Sequence, residues 1–190
     1  MSHAALMSPA DTGLLVIDVQ EKLMPLIPRR APIIANIAFL LEVAQIVNLP
    51  VQATEQYPRG LGPTVPALAD KLPPRAEKVE FSCGAVRSVI ETFHREARPK
   101  VLVVGIESHV CVMQTALDLL AEGFRVYIAA DAVGSRHELD HKYALKRLAQ
   151  AGAILTTVET AAFEWIGKAG TPEFKSLSRL VQERDRTMGS

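Results

Sequence analysis

Cys111 is the residue of this 190-residue chain best suited to nucleophilic chemistry. It follows the apolar run Val101-Leu102-Val103-Val104-Gly105-Ile106 and precedes Val112, Ala116, Leu119 and Leu120, which recur at helical spacing before Gly123. The pattern predicts a strand buried on both faces, then a helix whose first turn holds Cys111. Unpaired N–H groups and the helix dipole favour an anion there, so the thiol is expected to lose its proton more readily than usual. Thiolate is the nucleophilic form.

Two other residues could serve such a thiol. Asp18 closes the run Gly13-Leu14-Leu15-Val16-Ile17. A carboxylate partly removed from water can act as a general base, although an Asp after a strand is ordinarily a cap. Lys78 precedes Val79-Glu80-Phe81-Ser82. Turned inward, it would hold the Asp18 carboxylate and stabilise a nearby thiolate; turned outward, it is a solvated edge lysine.

The elements that must position these residues alternate along the chain. Strands are predicted at 13–17, 50–54, 78–81, 100–106, 125–130 and 154–158. Helices are predicted at 31–47, 82–97 (capped by Ser82), after Ser108, and at 138–151. The remainder, about 161–186, reads as helical with a break near Gly167 to Pro172. Strand then helix, repeated, argues for an α/β fold with a six-stranded parallel sheet and helices on both faces, a three-layer Rossmann-like arrangement. In such sheets the site lies beyond the carboxyl ends of the strands, where Asp18, Glu55 and Cys111 fall. Lys78 sits less comfortably, at or inside its strand.

Composition narrows the function classes. Lys plus Arg equals Asp plus Glu at 21 each, and no basic run or aromatic ladder is present, so a nucleic-acid partner is not expected. Two cysteines are too few for a disulfide framework, which suits a reducing compartment. Met1 to Thr12 shows no basic segment followed by an apolar one, and no apolar run approaches a membrane span. A soluble, cytoplasmic protein without membrane contact is expected.

The segments Leu15-Val16-Ile17-Asp18-Val19-Gln20, Gly105-Ile106-Glu107-Ser108-His109-Val110-Cys111-Val112 and Asp131-Ala132-Val133-Gly134-Ser135-Arg136, with a lysine ahead of Phe81-Ser82, resemble the isochorismatase-like cysteine hydrolases. The resemblance is nearest to the small isochorismatase-domain proteins, which share the Gln56-Tyr57-Pro58 and Leu61-Gly62 loop. It implies a single domain over residues 1–190, with a core at about 12–163 and a C-terminal helical segment at 164–186. It also implies an Asp-Lys-Cys triad on Asp18, Lys78 and Cys111, a cis peptide at Ile106–Glu107, and an oxyanion hole from the backbone N–H groups of Glu107 and Cys111. Glu55, Tyr57, Phe81 and His109 are candidates for substrate contact. The family's nicotinamidases bind a metal through an Asp-x-His pair after the second strand. Here Thr54 to Gly62 contains no histidine, so neither metal nor other cofactor is expected.

The implied activity is hydrolysis of a small amide, imide or related carbonyl compound, by a homo-oligomer that is a dimer or tetramer. Two other readings stand beside it: vinyl ether cleavage of the isochorismatase type with Asp18 as acid, and an idle oligomeric interaction protein. His137-Glu138-Leu139-Asp140-His141 matches the zinc-protease pattern, but it opens a helix straight after a loop, without a preceding apolar residue or an obvious third ligand. A solvated helix start is expected. Cys83 lacks Cys-x-x-Cys spacing and is read as a small packing residue, and Asp131, Ser135 and Arg136 as structural.

Overall fold

The computed structural model describes residues 5–188. The first four residues of the leader reading, and the outermost ends of the 1–190 domain, lie outside these described residues. The strands are β1 (Thr12–Ile17), β2 (Val51–Gln56), β3 (Ala76–Lys78), β4 (Lys100–Ile106), β5 (Arg125–Gly134) and β6 (Ile154–Thr156). The helices are α1 (Arg30–Ile46), the single turns α2 (Pro58–Leu61) and α3 (Pro66–Ala69), α4 (Arg87–Arg95), α5 (Met113–Ala121), α6 (Glu138–Gln150), α7 (Val158–Ile166) and α8 (Pro172–Met188). All six strands are parallel, in the order β3-β2-β1-β4-β5-β6, as the alternation predicted.

Strand alternation sorts the core into two layers. Leu14, Val16, Leu102, Val104, Tyr127 and Ala129 face α1, α7 and α8, while Leu15, Ile17, Val101, Val103, Val126 and Ile128 face α4, α5 and α6. Helix α1 is buried around more than one stripe: Asn36, Phe39 and Val43 as well as Ile33, Ile37, Leu40, Leu41 and Ala44. The reason is α8. Arg184 stacks over the Phe39 ring at 5.2 Å, donates to Asn36 Oδ1 and Glu159 Oε2, and lies 3.7 Å from Asp131 Oδ2. Asp131 Oδ1 also accepts from Val158 N, so this carboxylate is structural.

Several boundaries differ from the expected ones. β3 ends at Lys78 rather than starting there, which places the lysine at a carboxyl end with Asp18 and the Cys111 turn. β2 runs two residues further, through Glu55 and Gln56, and β5 four further, to Gly134, where β4 and β5 shift register between Val103 and Gly105. β6 stops at Thr156, because Thr157 caps α7 by accepting from Thr160 N. Ser82 caps only the short turn Cys83–Ala85, and α4 begins afterwards at Arg87.

The sheet reverses its winding between β1 and β4, the switch point at which such folds bind ligands. Gly105 makes that junction possible. Its φ is +115°, and a Cβ built there would lie 2.0 Å from the carbonyl oxygen of Ile17. Only glycine lets the two strands approach this closely one residue before Asp18.

Candidate active site

Asp18 leaves β1 with φ +53°, a left-handed conformation that Asp tolerates better than most residues. Its side chain is wholly buried, as is that of Lys78, and the Lys78 ammonium donates to Asp18 Oδ2 at 2.6 Å. Lys78 Nζ also donates to Gln56 Oε1 at 2.6 Å and to the carbonyl of Phe81 at 3.0 Å. An ammonium has three hydrogens, so all of them are engaged. Thr54 Oγ1 donates to the other Asp18 oxygen, Oδ1, at 2.8 Å.

Cys111 lies across from this pair and is 6% exposed. Its turn, Ser108–Val112, is π-helical and closes through Val112 N donating to Glu107 O; α5 follows from Met113. The Ile106–Glu107 peptide is cis. The thiol approaches Gln56 Oε1 at 4.0 Å, the outer reach of a sulfur donor.

The expectation of an easily ionised thiol is corrected. Burial holds the Cys111 thiol well above the ordinary range, the Asp18 charge and a hydrogen bond to that carboxylate raise it further, and Lys78 offsets only part of this. A helix N-terminus favours thiolate where water reaches it; here desolvation and a carboxylate prevail. The sulfur is held as a neutral thiol beside the Asp18 carboxylate.

Beyond the sulfur, three residue pairs clamp the Cys111 turn to the end of β5 and the start of α6. Glu107 Oε1 accepts from Arg136 N and Nε, at 3.0 and 3.1 Å. Ser108 Oγ lies 2.9 Å from His141 Nδ1, and His109 Nδ1 lies 2.9 Å from Ser135 Oγ. His109 is therefore engaged by the α6 end, with Asp140 3.9 Å from its other nitrogen, and not by the buried pair. Among the described residues no three His, Cys, Asp or Glu side chains converge as a metal site. A cavity of about 220 Å³ borders this clamp, with Ile27, Arg29, Ile33, Val133 and His141 in its wall.

The candidate substrate contacts divide. Glu55 is corrected: within β2 it alternates away from Thr54 and Gln56, which face Asp18 and Lys78. Its Oε1 instead accepts from Thr64 N and Oγ1, both at 2.7 Å, and fixes the following loop. Tyr57 and Phe81 are about half exposed, Tyr57 lining a cavity of about 360 Å³ together with Arg59, Lys78, Val79 and Glu80.

Sequence reasoning passed over Gln20, Thr54 and Gln56 as site residues. Buried Gln20 donates to Gln56 O and Gly62 O and accepts from Gln56 N, pinning the end of β2. The usable signal is a pair of amides at strand ends, Gln20 just past β1 and Gln56 closing β2, where hydrogen bonding is what rewards burial.

The isochorismatase domain model matches residues 12–160. The chain belongs to the isochorismatase family. As an isochorismatase-family hydrolase it is 40% identical over 179 residues to isochorismatase domain-containing protein 2 of Bos taurus, covering 92% of this chain and 85% of that one. The Danio rerio protein of the same name is 40% identical over 183 residues, 95% and 92% of the two chains. The structure of the MAR1 ribonuclease from Caenorhabditis elegans superposes with a TM-score of 0.88 at 39% identity, over 94% and 93%. That superposition spans nearly the whole of the fold described above.

Proposed function

We propose that this family member is a metal-independent cysteine hydrolase acting on a small amide, imide or related carbonyl compound. The observation that carries the reading is the buried Lys78–Asp18 pair set beside the Cys111 thiol. In the proposed cycle the Cys111 proton passes to Asp18 as Sγ attacks the substrate carbonyl, giving a tetrahedral intermediate. The backbone N–H groups of Glu107 and Cys111 stabilise its oxyanion. The C–N bond breaks as Asp18 returns the proton to the departing amine. Water then adds to the thioester, the C–S bond breaks, and the thiol regains its proton as the acid is released. Lys78 never gives up its charge in this scheme. It orients Asp18 and offsets the negative charge that moves between carboxylate and sulfur.

A small substrate fits the burial of the acid, the amine and nearly all of the thiol, which leaves little room for a polynucleotide. A homo-oligomer, dimer or tetramer, is part of the same proposal, as is a cytoplasmic location; no helix among the described residues is long and apolar enough to cross a membrane.

The test is a screen of small amides, imides and ureas for ammonia release, run beside Cys111→Ala and with an RNA arm. The expected result is turnover of a small amide that falls at least about a thousandfold in Cys111→Ala. One observation favours the second reading, vinyl ether cleavage with Asp18 as acid: a thiol held protonated is what a bystander would look like. Activity that survives Cys111→Ala but not Asp18→Asn selects that reading. RNA cleavage without amide turnover overturns both.

A further inference from the structure

The Asp18 carboxylate has two oxygens, and each is held by a different neighbour. Oδ2 takes the Lys78 ammonium, whereas Oδ1 takes the Thr54 hydroxyl at 2.8 Å. Thr54 Oγ1 lies also 3.5 Å from Cys83 Sγ, and all three side chains are buried. A threonine has one hydroxyl hydrogen, and a carboxylate can only accept. The hydrogen of Thr54 is therefore committed to Asp18, and its lone pair faces the Cys83 S–H. The direction is fixed: Cys83 donates to Thr54, and Thr54 donates to Asp18. The relay starts at the Cys83 thiol; separately, the main-chain N–H of Cys83 donates to Thr115 Oγ1 at 2.9 Å and anchors this turn to α5, one turn after Cys111.

We propose that Thr54 and Cys83 are positioning residues that hold Asp18 as the site's base through this directed relay. The proposal rests on the reading of Asp18 and Cys111 given above. A neutral donor on Oδ1, opposite the ammonium on Oδ2, fixes the rotation of the carboxylate and leaves the group aimed at the sulfur. Cys83 can play only the donor's part, because burial first, then the Asp18 charge, keep its thiol protonated against the smaller pull of Lys78. The titratable groups facing Asp18 are Lys78 from β3, Cys83 from the turn before α4, and Cys111 from the nucleophile turn. The second cysteine, packed in the core as its size suggests, is thus also the far end of the base's support.

The experiment is alkylation of Cys111 by iodoacetamide, from about pH 5 to about pH 9, read at the Cys111 peptide by mass spectrometry. The unaltered full chain is compared with Thr54→Val, Thr54→Ser, Cys83→Ala and Asp18→Asn. Thr54→Val is expected to lower the alkylation rate severalfold across the profile, because the carboxylate is no longer held on the sulfur. Thr54→Ser restores the rate, which a packing role for the threonine methyl would not. Cys83→Ala lowers it by less, and carries the test alone if Thr54→Val does not fold. Asp18→Asn changes the profile most, because the group facing the sulfur and the charge that holds the Cys111 thiol up are both gone.

A Thr54→Val or Cys83→Ala profile superimposed on that of the unaltered protein overturns the relay while Asp18 keeps its role. An unaltered profile in Asp18→Asn, or no alkylation at Cys111, overturns the reading of the site itself.

Discussion

Gln20 occupies both main-chain groups of Gln56: its Nε2 donates to the carbonyl at 2.9 Å, and its Oε1 accepts from the N–H at 2.8 Å. One side chain thereby acts as an extra rung of strand beyond the end of β1. The rung keeps Gln56 directed at Lys78, and through Lys78 it steadies Asp18. Gln20→Ala leaves two Gln56 groups and the Gly62 carbonyl without their partner. Chemical denaturation should show a loss of about 3 kcal/mol. Turnover in the folded variant should fall with it, as Lys78 loses a fixed neighbour.

Lys78→Met tests the ion pair. Both side chains are fully buried, and removing the ammonium strands the Asp18 carboxylate and the Gln56 carbonyl in the core. Breaking a buried pair from one side costs about 3–5 kcal/mol. Urea unfolding of Lys78→Met should show a loss of that size, and the double variant Lys78→Met/Asp18→Asn should recover part of it because no charge is left behind.

The two thiols make stability fall with pH. Burial raises both Cys83 and Cys111 in the folded protein, so the folded chain keeps protons that the unfolded chain releases above about pH 8.5. Fewer protons on the unfolded chain give a negative slope. The loss begins near the ordinary thiol range and continues upward, at up to about 1.4 kcal/mol per pH unit for each thiol. Denaturation midpoints between about pH 8 and about pH 10 should drop in the unaltered protein and drop less steeply in Cys111→Ala.

Gly105→Ala should not yield folded protein in quantity. The added methyl would stand 2.0 Å from a main-chain oxygen of β1 that cannot move without breaking the sheet. A cost of about 4 kcal/mol or more is expected, read as insoluble expression or a collapsed thermal transition. Gly123→Ala, where a Cβ meets nothing within 4 Å, bears only the conformational penalty and serves as the comparison.

The central sheet was legible because its signal is strong: after their first residues, Thr12 and Lys100, β1 and β4 are runs of apolar residues and glycine, buried along their whole lengths. The short edge strands were less so. β3 is Ala-Glu-Lys, with one partner strand and no apolar pattern, and its limits are set by pairing with Thr54, Glu55 and Gln56. That pairing also decides which way Glu55 points, so misplacing one strand end misassigned one side chain. Asp18, Lys78 and Cys111 could be nominated from sequence because their residue types limit their chemistry. Thr54 and Cys83 could not, since a hydroxyl and a thiol acquire direction only from what stands opposite them.

Three residues of β3 carry a consequence for how the molecule loosens. The strand is paired on one side only, yet its last residue is the cation of the site. Fraying at a sheet margin demands far less free energy than melting β1 or β4. Lys78 is therefore the first of the three residues to be set loose when conditions deteriorate. Mild denaturant should silence the proposed turnover while circular dichroism still reports an intact sheet, because a short margin of the fold holds the ammonium on which the proposed site depends.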